Sequence, residues 1–163
     1  MSPFTVRTAK REDSRALTDA LVEARNWNPG VTEPRVSIMA DPAVRRYIAN
    51  WGRPGDAGVV AEDSEKTPIG ACWYRLFSAQ EPGFGFIGTG VPELILGVSP
   101  VWRAQGVGRA LLQEVLERAR SAGFARISLS VQKGNYAHRL YRSEGFSVVE
   151  SRGSADVMVH SLN

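Results

Sequence analysis

The sequence predicts an α/β domain with a mixed, mostly antiparallel sheet flanked by helices. An apolar run ending at Val98 passes through Gly106 and Gly108 into a helical pattern, and the alternating run Ile127–Val131 precedes a second short helical stretch stopped by Gly145. Two strand-to-helix units therefore stand side by side. Upstream, Val59-Val60-Ala61 and Ile69–Phe77 read as a hairpin joined by the charged turn Asp63-Ser64-Glu65-Lys66-Thr67-Pro68. At 163 residues the chain suits one domain over 1–163, long enough to bury its own core.

In chain order, Thr5-Val6-Arg7 centres a strand at 4–9, and Glu12 to Arg25 forms a helix. A second helical stretch is expected over 34–51 around Asp41-Pro42. Residues 78–92 are rich in Gly, Pro and Phe without periodicity and read as a long loop, a kind of segment that in compact domains is often functional. We expect it to border the functional site. A strand at 93–98, a helix at 107–122, a strand at 125–131 and a helix at 135–144 follow, and strands at 146–150 and 155–161 close the chain. Within the first of these helices Leu111, Leu112, Val115, Leu116 and Ala119 recur on one face.

The turn before that helix carries the chemistry. Residues Arg103-Ala104-Gln105-Gly106-Val107-Gly108-Arg109 place two glycines and two arginines at a strand-to-helix turn. The first turn of a helix leaves backbone N–H groups unpaired, and the aligned peptide dipoles put partial positive charge there, so a pyrophosphate can be held largely by main chain. Side chains at Gly106 and Gly108 would keep the anion away.

The segment from Arg103 to Gly108 and the later run Asn135-Tyr136-Ala137-His138-Arg139-Leu140-Tyr141-Arg142-Ser143-Glu144-Gly145-Phe146 together resemble the GNAT superfamily of N-acetyltransferases. Arg103, Gly106 and Gly108 occupy the family's acetyl-coenzyme A signature, and Asn135, Ala137, Leu140, Tyr141, Gly145 and Phe146 its later motif. The likeness is sharp over 91–150 and looser upstream. It implies a sheet of about seven strands whose fourth and fifth splay apart, with the pantetheine arm of acetyl-CoA lying between them against the main chain of Leu96 and Val98. It also implies an amide from Leu96 or Gly97 for the thioester oxyanion, and Arg103 through Arg109 for the diphosphate. Asn135 either contacts the carrier or caps its helix. The resemblance further points to Glu93 as the group that takes the amine's proton, directly or through water, and to Tyr141 as the acid that protonates the leaving thiolate. A base is needed because a free lysine amine, with a pKa of about 10.4, is almost fully protonated at neutral pH. The acceptor is an unidentified amine, small or borne on a protein. A noncatalytic acyl-CoA sensor or interaction domain is the alternative reading.

The remaining features narrow the field. The formal charge is +3, but Arg103, Arg109, Arg118, Arg120 and Arg126 outnumber Glu114 and Glu117, so the positive charge is local and suits a small polyanion better than nucleic acid. A single cysteine, Cys72, excludes an internal disulfide and reads as a buried small hydrophobe. No apolar N-terminal stretch reads as a signal peptide or membrane span, so we expect a cytoplasmic protein without a membrane partner. A homodimer stays open. His138 has no Cys or acidic neighbour in the pattern, and no metal is expected. Gly83-Phe84-Gly85-Phe86-Ile87-Gly88 matches the dinucleotide fingerprint letter for letter, but the following Thr89-Gly90-Val91-Pro92 opens no helix and excludes that use. Trp27 and Trp51 fall where the family builds acceptor specificity, and Trp73 reads as core.

Overall fold

The computed structural model describes residues 3–163, so Met1 and Ser2 of the expected domain lie outside the described residues. In chain order the elements are β1 (Phe4–Thr8), α1 (Ser14–Arg25), α2 (Arg35–Ala40), α3 (Pro42–Arg45), β2 (Ala57–Asp63), β3 (Pro68–Arg75), β4 (Glu93–Val98), α4 (Val107–Ser121), β5 (Arg126–Gln132), α5 (Ala137–Ser143), β6 (Ser147–Arg152) and β7 (Ala155–Ser161). The strands form one sheet in the order β1-β2-β3-β4-β5-β7-β6. Every neighbouring pair is antiparallel except β4 with β5.

Strand alternation splits the core into two layers. Val59, Ala61, Cys72 and Leu94 face α4 and meet its stripe of Leu111, Leu112, Val115 and Leu116. Val60, Ala71 and Trp73 face the other way, against Leu17 and Leu21 of α1 and Ile38 of α2. Each such large apolar side chain contributes about 1.5–3 kcal/mol relative to exposure, so the helices are fixed to the sheet mainly by these two stripes.

Gly97 sets how closely α1 approaches. A Cβ there would lie 1.8 Å from the carbonyl oxygen of Ala20, so strand and helix backbones touch directly. The β3–β4 register runs unbroken from Gly70 opposite Val98 to Arg75 opposite Glu93, which excludes a bulge at Gly97. The missing side chain serves helix packing, and it brings the C-terminal end of α1 over β4.

The helix expected over 34–51 is instead two short helices followed by turns. Asp41, held extended at φ −78°, ψ 115° as residues before proline are, ends α2, and its side chain accepts from Ala43 N–H to start α3. What holds the turns after α3 is a buried guanidinium. Arg75 bonds Asp56 at 2.8 Å and donates to the carbonyls of Arg46 and Ala49 at 2.9 and 2.7 Å, with both ionic side chains nearly inaccessible. β3 ends at Arg75, two residues short of the expected Phe77, as the chain turns to the surface at Leu76. Replacing Arg75 with Ala would leave Asp56 buried without its cation, at a cost of about 3–5 kcal/mol. A fall in melting temperature on the order of 10 °C is expected in thermal unfolding.

Candidate active site

The site begins where β4 and β5 separate. They share one parallel pairing, Glu93 with Ser128, where Ser128 N–H donates to Pro92 at 2.9 Å. Beyond that point the strands diverge. Ser99 N–H donates to Ile69 in β3, so by alternation the odd-numbered amides of β4, including Gly97, turn towards β3, while the even-numbered ones turn towards β5; the Leu94 amide belongs to the Glu93–Ser128 rung, and those of Leu96 and Val98 face the gap. Of Leu96 and Gly97, it is Leu96 whose amide faces the opening. A cavity of about 320 Å³ occupies the gap, within the ~300–1,000 Å³ common for small-molecule sites. It is lined on one face of the sheet by Arg25, Trp27, Tyr47 and Phe84 and on the other by Gly108 and Tyr141.

The start of α4 opens into the same cavity. The amides of Val107, Gly108 and Arg109 precede the first intrahelical bond, from Ala110 N–H to Gly106 at 3.1 Å. Ala104 and Gly106 both adopt positive φ, 61° and 86°, curling the turn, and Gln105 ties it by donating to Val101 at 2.9 Å. Such a run of amides beside left-handed residues forms a concavity suited to an anion. A Cβ on Gly106 would meet nothing within 4 Å, and one on Gly108 only ordinary neighbours, so neither glycine is needed for packing. The two arginines are already engaged. Arg103 pairs with Glu23 of α1 at 3.2 Å and donates to Val98 at 3.3 Å, while Arg109 pairs with Glu144, the residue that caps the end of α5.

Glu93 sits on the α1 face at the foot of the gap and is 1% exposed. Tyr47 Oη donates to its Oε2, and Gly85 N–H donates to the same oxygen at 3.0 Å. Oε1 is buried without a partner. Burial outweighs these hydrogen bonds and pushes the carboxyl up to about 7. The carboxylate does not line the cavity; Tyr47, whose hydroxyl also accepts from Phe84 N–H at 2.7 Å, does. The loop expected over 78–92 wraps this pair. A Cβ on Gly83 would lie 2.2 Å from Glu93 Oε1, and one on Gly85 2.6 Å from the backbone of Leu129. The glycines of the false dinucleotide fingerprint thus allow close backbone approach.

Tyr141 lies on α5 across the gap, largely buried, and burial near Cys72 and Tyr136 raises its phenol well above the usual range. Protonated at neutral pH, it can donate. Asn135 lines the cavity and also accepts from Ala137 N–H at 2.9 Å, which starts α5 two residues later than expected. Cys72 is fully buried with its thiol pushed up. His138 has the acidic neighbour its sequence context lacked, Asp156 at 3.2 Å. Tyr47, Phe84 and Arg25 escaped the sequence reading. The expectation that residues 78–92 border the site pointed to this wall without naming its residues, and the Gly83 and Gly85 pair marked where backbone contact is tight.

A mixed sheet splayed at one parallel pair, with a helix start at the opening, defines the class of fold. The family model described as the acetyltransferase (GNAT) family matches residues 20–146, and the chain belongs to that family. It is 35% identical over 115 residues to a mycothiol acetyltransferase of Thermobispora bispora, covering 70% of this chain and 36% of the relative. The chain thus spans a little over a third of that relative's length. Among solved structures it resembles the PaiA N-acetyltransferase of Thermoplasma acidophilum in complex with coenzyme A, with TM-score 0.72, 19% identity and 99% of each chain covered. It also resembles a phosphinothricin acetyltransferase of Sinorhizobium meliloti in complex with acetyl-CoA, with TM-score 0.67, 19% identity and coverage of 99% and 90%. Among the described residues no helix is long and apolar enough to cross a membrane.

Proposed function

We propose that the chain is an N-acetyltransferase domain that binds acetyl-CoA in the gap between β4 and β5 and passes its acetyl group directly to a primary amine. The observation that carries this is the gap itself: unpaired β4 amides run towards the amide-rich start of α4, along one continuous cavity. Two structural neighbours named as complexes with coenzyme A or acetyl-CoA support the donor, and relatives named acetyltransferases support the transfer.

The residues divide the work by face. The amides of Leu96 and Val98 lie along the thioester arm, and that of Leu96 stabilises the oxyanion as the amine attacks the carbonyl carbon. Val107, Gly108 and Arg109 offer main-chain donors to the diphosphate, within the turn from Arg103, Ala104 and Gln105 to Gly106. The amine's proton leaves through Tyr47, which passes its own hydroxyl proton to Glu93 as it accepts the new one. A hydroxyl has a second lone pair free for this beside the one used by Phe84 N–H. When the tetrahedral intermediate collapses, Tyr141 gives its proton to the departing sulfur. Cys72, buried and protonated, offers no covalent detour.

Release of free coenzyme A from acetyl-CoA with a panel of amines tests the reading. Amine-dependent release supports it, and tight carrier binding without release from any amine assigns the chain instead to a noncatalytic acyl-CoA sensor. Gly106→Val should weaken coenzyme A binding by tenfold or more in calorimetry, since a β-branched residue strains at φ 86° and its side chain enters the open space before α4. Unchanged affinity would place the diphosphate elsewhere.

A further inference from the structure

At the end of the cavity away from α4 stands a solvent-exposed cation with no acidic partner among the described residues. Arg25, the last residue of α1, lines this cavity and a smaller adjoining one, yet makes no ion pair or hydrogen bond with any described residue. Its guanidinium carbon lies 5.4 Å from the centroid of the Phe84 ring, and Phe84 in turn stacks on Tyr47 at 6.0 Å, the planes 20° apart. Arg25, Phe84 and Tyr47 therefore form a row whose far end is the Tyr47–Glu93 hydrogen bond. Packing against an aromatic ring satisfies the face of a guanidinium and leaves its edge N–H groups free for a partner in the cavity.

The carboxylates nearby are committed elsewhere. Glu23 pairs with Arg103, Glu150 with Arg152, and Asp156 with His138 and Ser151. Arg152, the second cation of the adjoining cavity, donates to the carbonyls of Phe84 and Phe86 at 2.9 Å and so fixes the loop under Arg25. The remaining wall is neutral and polar, with Ser130, Gln132 and Ser154. A cationic fork, neutral hydrogen-bonding groups and a proton acceptor at the other end of one aromatic row match a molecule with an amine and an anionic group. The planar fork suits a carboxylate, which it can bind through two parallel hydrogen bonds.

We infer that the acceptor is a small amine that also bears a carboxylate, with Arg25 binding the carboxylate while the amine reaches Tyr47. This rests on the reading of the cavity as an acetyltransferase site. An acceptor carrying a second ammonium would be repelled by Arg25, and an uncharged one would leave its N–H fork to water.

The test compares a set of amino acids and short aminocarboxylic acids with their amides, on the coenzyme A-loaded protein for binding by calorimetry and with acetyl-CoA for turnover. At least one acid should bind tenfold or more tightly than its amide, and Arg25→Gln should erase that preference while coenzyme A affinity stays the same. Arg25→Lys should restore only part of it, since an ammonium lacks the fork. Acids binding no better than their amides, or a preference that survives in Arg25→Gln, overturns the inference. Its failure is distinct from failure of the acetyltransferase reading: the first appears in the acid-to-amide comparison, the second as absence of coenzyme A release from every amine.

Discussion

Glu93→Gln is expected to lower kcat/KM by about 10²–10⁴-fold, the usual contribution of a positioned proton acceptor. Glutamine keeps an oxygen for the Gly85 amide and the Tyr47 hydroxyl but cannot take up a proton. The wild-type pH profile should rise through a limb near pH 7, where the buried carboxyl ionises, and that limb should vanish in the variant. Stability should move the other way. The carboxyl's folded pKa of about 7 lies above its ordinary 4.5, so the native state holds more protons between these values and loses stability as pH rises through that window. Above it the fold carries the whole penalty of a buried anion, on the order of 3 kcal/mol. The neutral amide removes that penalty, so at pH 8 the variant should melt above the wild type, whereas near pH 4 the two should converge. A variant that is both active and no more stable at pH 8 would exclude Glu93 as an ionising base.

Tyr141→Phe is expected to reduce kcat by a similar 10²–10³-fold while leaving coenzyme A affinity nearly intact. The phenol hydroxyl has no hydrogen-bond partner among the described residues, so its removal disturbs no network, and the ring keeps its edge contact with Phe146 at 5.9 Å. Loss of rate therefore reports loss of the proton donor. The deficit should shrink with acyl donors whose leaving thiols are more acidic, because these need less protonation. An undiminished rate across several pH values would remove Tyr141 as the acid.

The two strand-to-helix units were legible because local patterns specify them: alternation for β4 and β5, an apolar stripe for α4, and glycines at its start. The residues opposite were not. Tyr47 sits on turns whose shape depends on Arg75, a residue of another strand, so no local period marks it. Arg103 reads in sequence as part of the diphosphate turn, and its partner Glu23 lies on α1, far along the chain. The Gly83 and Gly85 pair was visible, but its cause, the bulk of Glu93 and the backbone of β5, exists only after folding. Glu93 itself was found through resemblance, and its burial through the loop that covers it.

The lone rung between Glu93 and Ser128 leaves the backbone seam between the two halves of the sheet like a zipper open above its lowest tooth, while α4 packs across both halves. Along that seam the Leu96 and Val98 amides have no strand partner. A chain-like molecule laid there would supply the missing teeth, so its occupancy is expected to stiffen the seam and couple the donor's arrival to the shape of the opposite chamber, to be read as raised amide protection in β4 and β5.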